Sequence, residues 1–290
     1  MANKIPIPSR QARQAGFWTK KGLGQHLLRD PSVVRDILAA LARGPEEGVL
    51  EIGPGLGALT EALLEAGGPV LAVEVDARAC QVLQERFGGR PNFRLAQGDV
   101  LEMDLHALCR EAFGEAPFHL AANLPYYITT PILAQVLESG LGFGRMVALV
   151  QKEVGLRLAA GPGNKDYGAL SLMAQYRSRV ALLRKVLPGA FTPPPRVDSA
   201  LLLFERLERP AVRVKDEAFF FRVARGAFGK RRKQLKNSLA MAPGLDLPPD
   251  LLDAALVKAG IQPTRRPETL DLPEFARLAD ALAEALAARS

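Results

Sequence analysis

Short apolar runs alternate with helix-like segments over residues 48–150, and this alternation constrains the fold more than any other feature of the sequence. Asp30 and Asp76 precede two of the helical patterns, as N-cap residues do. Strands that are apolar along their whole length belong to parallel sheets covered by helices on both faces. The alternation therefore predicts an α/β fold with parallel strands at Val49–Ile52, Val70–Val75, Asn92–Ala96, Phe118–Ala122 and Met146–Val150.

The segments on either side of this alternation predict the domain organisation. Residues 1–29 show no helix or strand period and form a basic N-terminal arm. Residues 30–208 contain the alternating pattern and two further β-like runs, at Val180–Val186 and Ala200–Phe204, and form the α/β domain. From residue 209 onward every pattern is helical, so we predict a small all-helical C-terminal domain over residues 209–290.

The net charge of +7 is concentrated in two places. Residues 1–29 carry a charge of +6 and residues 218–245 carry +7, neither range has an acidic residue, and the remaining chain has a charge of −6. Two acid-free clusters favour a polyanionic partner, because Lys and Arg neutralise phosphates. A solvated surface is the alternative for each cluster. We predict that Arg231, Arg232 and Lys233 contact this polyanionic partner.

The composition and the termini exclude several classes of protein. The sequence is 48% hydrophobic and 24% charged, which is typical of a folded globular chain. No apolar run approaches the roughly 18 residues of a membrane span, and no signal peptide is recognisable, so we expect a cytoplasmic monomer without a membrane partner. The two cysteines, Cys80 and Cys109, lie in helical patterns, and the histidines are scattered, so we expect neither a disulfide nor a metal site.

A glycine-rich turn, EIGPGLGALT (51–60), follows the first strand of the alternation. Gly53 and Gly55 let the backbone approach a ligand closely, and the helix that follows offers free N–H groups. Together with Ala58 they also satisfy the G-x-G-x-x-A pattern of dinucleotide-binding proteins. At this point a nicotinamide-dependent dehydrogenase, a methyltransferase and a plain tight turn are all compatible with the sequence.

Two acidic residues follow the next two strands. Glu74 stands where a carboxylate can accept hydrogen bonds from both hydroxyls of an adenosine ribose, which fits NAD and S-adenosylmethionine equally. Asp99 can accept a hydrogen bond from an adenine amine, with a helix or turn cap as the alternative. Two acids and few basic residues near the glycines suit a cationic sulfonium better than a pyrophosphate. S-adenosylmethionine is therefore the predicted cofactor.

The segment Asn123-Leu124-Pro125-Tyr126 ends the fourth strand and predicts the reaction. The N6 amine of adenine is a poor nucleophile because its lone pair is delocalised into the ring. The side-chain carbonyl of Asn123 and the backbone carbonyl of Leu124 or Pro125 can accept its two N–H bonds and localise that lone pair. Tyr126 can stack on the base. Phe191, before a proline-rich loop, is a candidate second stacking residue, with core packing as the alternative.

In this order, the motifs resemble those of the ribosomal RNA adenine dimethyltransferase family, and in particular its small-subunit branch, the kasugamycin-sensitivity methylases. The resemblance covers nearly the whole chain. His26 stands where the family has an asparagine. The matching segments are GLGQHLLRD (22–30), EIGPGLGALT, VEVD (73–76), QGDV (97–100), NLPY, QKEVGLRL (151–158), YGALS (167–171), FTPPPRVDS (191–199) and AFGKRRKQLKNSL (227–239).

This resemblance implies a Rossmann-like methyltransferase sheet and a specific reaction. The reaction is the transfer of four methyl groups from S-adenosylmethionine, two to each of two adjacent adenosines near the 3′ end of small-subunit ribosomal RNA, during small-subunit biogenesis. NLPY would hold the adenine, with Phe191 near it. The implied cofactor contacts are His26, Leu28, Gly53, Glu74, Asp99 and Asn123. The remaining alternatives are a large-subunit methylase of the antibiotic-resistance type, a DNA adenine methylase, a ribosome-assembly factor with secondary catalysis, and a dehydrogenase.

Overall fold

The structure is a computed structural model that describes residues 26–230 and 232–289. The predictions made for residues 1–25 and for Arg231 lie outside the described residues. The strands are β1 (Leu27–Leu28), β2 (Gly48–Ile52), β3 (Val70–Glu74), β4 (Phe93–Gln97), β5 (Phe118–Asn123), β6 (Arg145–Gln151), β7 (Ser178–Val186), β8 (Phe191–Thr192) and β9 (Ser199–Arg206).

The helices follow the predicted patterns closely. Asp30 accepts a hydrogen bond from the N–H of Ser32, and Asp76 accepts one from the N–H of Arg78, so both predicted N-caps are confirmed. The helices are α1 (Pro31–Leu41), α2 (Ala58–Glu65), α3 (Ala77–Phe87), α4 (Leu105–Phe113), α5 (Thr129–Glu138), α6 (Lys152–Ala159), α7 (Ala169–Arg177), α8 (Glu217–Phe228), α9 (Leu235–Ala240), α10 (Pro249–Ala259) and α11 (Leu272–Ala287).

The main sheet has the strand order β4-β3-β2-β5-β6-β9-β7, with helices on both faces. The first five of these strands are parallel, as predicted from the alternation. Every residue of β2 and β3 is buried, which explains why these strands are apolar along nearly their whole length. The sheet as a whole is mixed, because β9, one of the two later β-like runs, pairs antiparallel with β6. An apolar run marks a buried strand but does not encode its direction.

A second, two-stranded sheet joins β1 to β8. Leu27 pairs with Thr192 and Leu28 pairs with Phe191. The N–H of Arg29 continues this pairing and donates to the carbonyl of Ala190 at 2.8 Å. The segment after residue 25 is therefore attached to the proline-rich loop, and the side chains of Leu28 and Phe191 lie in the hydrophobic core.

The chain divides into two compact units. One unit contains the described residues up to 155 together with Ala181–Arg206, and the other contains Leu156–Val180 together with residues 207–289. The helical unit thus includes residues 156–180, which the sequence analysis had assigned to the α/β domain. Nearly all of α7 is buried in this unit. The ring centroids of Tyr176 and Phe220 lie 5.0 Å apart. No helix in the described chain is both long and apolar enough to cross a bilayer.

Candidate active site

A cavity opens at the carboxyl ends of the parallel strands, beside the junction of β2 and β5. From β2 the chain proceeds first to β3 and later to β5 on its other side, so this junction is the topological switch point at which ligands bind in α/β sheets. The structure brings together most of the residues predicted from the sequence. The cavity is lined by His26, Leu28, Gly53, Gly55, Glu74, Asp99, Asn123, Leu124, Pro125 and Tyr126.

The glycine-rich turn exposes backbone at the floor of the cavity. Gly53 and Gly55 have φ angles of +71° and +57°, in the left-handed region that other residues rarely adopt. A Cβ on Gly55 would stand 3.0 Å from the Cδ2 atom of Leu27, and one on Gly53 would stand 3.6 Å from the carbonyl oxygen of Asn123. Side chains at these positions would therefore narrow the space between the turn, β1 and the NLPY segment.

Glu74 presents a buried and oriented carboxylate to the cavity. Its residue is 5% exposed, and its carboxylate accepts hydrogen bonds from the N–H groups of Gly55, Val75 and Asp76 at 3.1, 3.0 and 2.9 Å. Burial raises the pKa of Glu74, and these three N–H groups act in the opposite direction. A carboxylate has about four acceptor positions, so roughly one remains for a ligand hydroxyl. The predicted contact to a ribose is therefore limited to about one hydrogen bond.

Asp99 combines the two roles that the sequence left open. One carboxylate oxygen accepts a hydrogen bond from the N–H of Leu101 at 2.9 Å, so the side chain caps the turn after β4. The residue also lines the cavity. In the part of the chain that the structure describes, the other oxygen has no partner, and it is the atom that can accept from a ligand amine.

The amide of Asn123 is oriented by the segment that precedes β1. Its Nδ2 atom donates to the carbonyl oxygen of His26 at 3.0 Å. The opposite amide orientation would place two carbonyl oxygens against each other, so this contact fixes which side of the amide faces His26. Among the described residues, none donates to Oδ1 of Asn123. A hydrogen-bond acceptor at the end of β5 is therefore available to a ligand.

The structure distinguishes between the two candidate backbone acceptors. The carbonyl of Pro125 accepts from the N–H of Ile128 at 3.2 Å and from Oγ1 of Thr129 at 2.9 Å. The carbonyl of Leu124 has no such donor within the described chain. The carbonyl of Leu124 is therefore the one left available as an acceptor next to Asn123, while the carbonyl of Pro125 closes the turn that leads into α5.

Tyr126 and His26 form an aromatic wall of the cavity. Their ring centroids lie 5.2 Å apart at an interplanar angle of 40°. The hydroxyl of Tyr126 is hydrogen-bonded to Oγ of Ser199, and burial raises the pKa of Tyr126. Nδ1 of His26 donates to the carbonyl of Pro193 at 2.8 Å. Both rings are thus held by the loop before β9 and by its first residue, a connection that the sequence pattern did not predict.

Phe191 does not lie in the cavity. Its residue is 3% exposed and belongs to the hydrophobic core, so the structure places it in the alternative role of core packing. Phe191 is buried because β8 pairs with β1, which directs this ring into the core beside Leu28. The proline-rich loop contributes to the site through the carbonyl of Pro193 instead.

The charges around the cavity fit a cationic cofactor. The carboxyl groups of Glu74 and Asp99 line it. Arg86 also lines it, but its guanidinium is held by the carbonyl of Leu56 and by Glu61, at 3.0 Å from the latter. A pyrophosphate would meet these carboxyl groups unfavourably, whereas the sulfonium of S-adenosylmethionine is attracted to them. The described residues contain no group of three His, Cys, Asp or Glu side chains able to hold a metal ion.

Comparison with known proteins identifies the family. The model of the family described as ribosomal RNA adenine dimethylase matches residues 16–283. The chain belongs to this family. Proteins named ribosomal RNA small subunit methyltransferase A are similar to it over nearly their whole length. The one from Moorella thermoacetica is 44% identical over 288 residues, 97% of this chain and 99% of the relative, and the one from Geobacter sulfurreducens is 45% identical over 270 residues, 93% and 97%.

Two solved structures share the fold of this dimethylase. A dimethyladenosine transferase from Plasmodium falciparum superposes with a TM-score of 0.71 at 24% identity, over 87% of this chain and 96% of that one. The 23S rRNA methyltransferase ErmE superposes with a TM-score of 0.63 at 24% identity, over 89% and 99%. The predicted family and the predicted α/β fold class are confirmed, and S-adenosylmethionine is the cofactor of the enzyme.

Sequence reasoning missed one acidic residue of the enzyme. Glu51 lines the cavity at 1% exposure and accepts a hydrogen bond from Oγ1 of Thr60 at 2.7 Å. Burial, and to a smaller extent the neighbouring Glu74, raises the pKa of Glu51 to about 8, so its carboxyl group is largely protonated at neutral pH. The signal was present, because a glutamate within the apolar strand VLEI has no solvent to face.

The predicted RNA contacts lie in the helical unit of the enzyme. Arg232 and Lys233 are exposed between α8 and α9, and Arg232 has a φ angle of +66°. In the same cluster, Lys236 forms an ion pair with Asp253 at 2.6 Å. Arg232 and Lys233 are exposed and can meet a phosphate, whereas the charge of Lys236 is already paired.

Proposed function

We propose that the protein methylates N6 of two adjacent adenosines near the 3′ end of small-subunit ribosomal RNA, transferring two methyl groups to each. The observation that carries this proposal is the pair of oriented acceptors, Oδ1 of Asn123 and the carbonyl oxygen of Leu124, in the cavity. The names of the relatives support the small subunit as the substrate. A cytoplasmic location, a monomeric state and an RNA-binding role for residues 209–290 belong to the same proposal.

The end of β5 orients the target amine. Oδ1 of Asn123 and the carbonyl oxygen of Leu124 accept the two N–H bonds of N6, which directs the nitrogen lone pair out of conjugation with the ring. Tyr126 offers its ring to the face of the adenine, and its hydrogen bond to Ser199 keeps that ring in place. Positioning of this kind supplies most of the acceleration in reactions whose partners are held in line.

The opposite side of the cavity holds the methyl donor. S-adenosylmethionine supplies an electrophilic methyl group on a sulfonium. Glu74 would accept a hydrogen bond from a ribose hydroxyl and Asp99 one from the adenine amine of the cofactor, and the turn at Gly53 and Gly55 would leave room for the cofactor next to the backbone. On accepting the methyl group, N6 becomes positively charged and therefore acidic, while the cofactor would be left as a neutral thioether. N6 then releases a proton to solvent, so the mechanism requires no strong general base.

The identity of the substrate is tested by methylating unmodified ribosomal particles. Small-subunit and large-subunit particles lacking the modification are incubated with the enzyme and isotopically labelled S-adenosylmethionine, and the RNA is digested and measured by mass spectrometry. We expect N6,N6-dimethyladenosine in small-subunit RNA, at two adjacent positions. Label confined to large-subunit RNA would contradict the proposal and favour the antibiotic-resistance type of methylase.

Replacing Arg232 and Lys233 by alanine is expected to weaken RNA binding and to lower its dependence on salt. Each phosphate contact contributes about one unit to the slope of log affinity against log salt concentration, so the double variant should lose about two units. The measurement is RNA affinity by fluorescence anisotropy from low to moderate salt, alongside the affinity for S-adenosylmethionine, which we expect to be unchanged.

The matched control removes the same charge elsewhere in the helical unit. Lys215 and Lys258 are exposed lysines that both pair with Glu284. Replacing both by alanine changes the net charge by the same amount without touching the basic cluster. Equal loss of RNA affinity in the two double variants would mean that only the total charge matters, and Arg232 and Lys233 would have no specific role.

A further inference from the structure

Tyr127 is the second tyrosine after the NLPY proline, and it differs from Tyr126 in its environment. Tyr126 is part-buried and hydrogen-bonded to Ser199, whereas Tyr127 lines the same cavity and remains 54% exposed. Within the described residues, the hydroxyl of Tyr127 has no hydrogen-bond partner. A large aromatic ring at the rim of a ligand cavity presents an unused stacking surface.

The backbone around Tyr127 is held tightly. The N–H of Ile128 and the hydroxyl of Thr129 both donate to the carbonyl of Pro125, which closes a turn around residues 126 and 127 at the start of α5. A side chain on such a turn loses little backbone freedom when it binds a partner. The backbone therefore already holds the ring at the rim of the cavity before RNA binds.

Tyr127 lies on the side of the cavity that holds Asn123 and Leu124, the proposed acceptors for the target amine. Glu74 ends β3 and Asp99 follows β4, both on one side of β2, and they are the residues suited to the adenosine of the cofactor. Tyr127 follows β5, on the other side of β2, four residues after Asn123. A group that stacks on Tyr127 therefore belongs with the methyl acceptor.

We propose that Tyr127 stacks on the base of the nucleotide adjacent to the target adenosine. The inference rests on the proposed function, in which an adenine must leave its stack to reach Asn123 and Leu124, so that its neighbour loses a stacking partner. An aromatic ring at the rim replaces that partner. For two adjacent target adenosines, the neighbouring base is the other adenine, and Tyr127 holds it while the first is methylated.

The test combines a change in the protein with a change in the RNA. The probe is an RNA segment that carries the two adjacent adenosines, used intact or with one adenosine replaced by an abasic nucleotide. Its affinity for the full-length enzyme is measured in the presence of saturating S-adenosylhomocysteine. With the original enzyme, loss of the base should weaken binding about 5- to 100-fold. With Tyr127→Ala, binding of the intact RNA should already be weaker by that factor, and loss of the base should add little.

Two further variants separate stacking from other roles. Tyr127→Phe keeps the ring and should bind like the original enzyme, whereas Tyr127→Leu keeps apolar bulk without a ring and should behave like Tyr127→Ala. Independent, multiplicative effects of Tyr127→Ala and of the abasic nucleotide would overturn the inference. Weaker binding of S-adenosylhomocysteine to Tyr127→Ala would also overturn it, by assigning the ring to the cofactor.

Methylation of the intact segment by the original enzyme tells the two proposals apart. If the original enzyme dimethylates the segment and the two changes act independently, only the role of Tyr127 is wrong. If it neither binds nor methylates the segment or the small-subunit particle, the proposed function is wrong and the inference is overturned with it.

Discussion

Asn123→Ala is expected to lower the rate of methyl transfer about 10²- to 10³-fold, far more than it lowers the affinity for S-adenosylmethionine. In the proposed mechanism, Oδ1 of Asn123 is one of two acceptors for the target amine. The second is the backbone carbonyl of Leu124, which a side-chain substitution does not remove. The hydrogen bond to Oδ1 strengthens as N6 gains positive charge. Its loss therefore lowers the rate of the methyl-transfer step more than it lowers binding. Single-turnover rates with saturating RNA and cofactor measure this effect.

The structure adds a control, because Asn123 has a second role. Its Nδ2 atom also holds the carbonyl of His26, so alanine removes both an acceptor and an anchor. Asn123→Asp keeps an acceptor oxygen, loses the donor to the carbonyl of His26 and adds a negative charge. We expect Asn123→Asp to retain more activity than Asn123→Ala and to share any decrease in thermal stability. Equal inactivity of the two variants would assign the effect to the anchor, and near-normal activity of a folded Asn123→Ala would contradict the proposed mechanism.

Much of the fold could be predicted because local sequence determined it. Four of the five parallel strands, β2, β3, β5 and β6, are mostly apolar and buried. Asp30 and Asp76 precede their helices as side chains that can cap. The residues at the strand ends, Gly53, Glu74 and Asn123, could be placed in one cavity because the carboxyl ends of parallel strands share one edge of the sheet. Each of these inferences uses neighbours in the chain and one rule about sheets.

The remaining features depend on contacts between distant parts of the chain. Pairing of Leu28 with Phe191 joins two segments of two residues each, too short to leave a pattern, and it moves Phe191 from the predicted site into the core. The carbonyl of Pro125 is occupied by donors on Ile128 and Thr129 and that of Leu124 is not, a difference that arises only once the turn is formed. Pairwise geometry of this kind is absent from a linear pattern.

The buried carboxyl group of Glu51 is expected to make the stability of the α/β unit fall as pH rises. In the folded chain burial raises the pKa of Glu51 to about 8 from its ordinary value of 4.5. Between these two values the folded state keeps a proton that the unfolded state has released, so the free energy of unfolding decreases with increasing pH. The stabilisation is complete below about pH 4.5 and is lost by about pH 8. At about 1.4 kcal/mol per pH unit, the upper limit of the loss is roughly 5 kcal/mol.

Glu51→Gln removes the titratable carboxyl group and nearly keeps the size and shape of the side chain. The stability of this variant relative to the original enzyme should therefore rise with pH. We expect similar stability of the two proteins near pH 5 and a clear advantage of Glu51→Gln at pH 8, measured by denaturant unfolding across this range. Burial also raises the pKa of Glu74, which contributes a slope of the same sign in both proteins.

Glu111→Gln is the matched control, because that carboxylate side chain is 80% exposed and should leave the pH profile unchanged. A constant difference between Glu51→Gln and the original enzyme from pH 5 to pH 8 would show that Glu51 is already ionised in the folded enzyme, and Glu51 would then carry a full negative charge into the cavity beside Glu74.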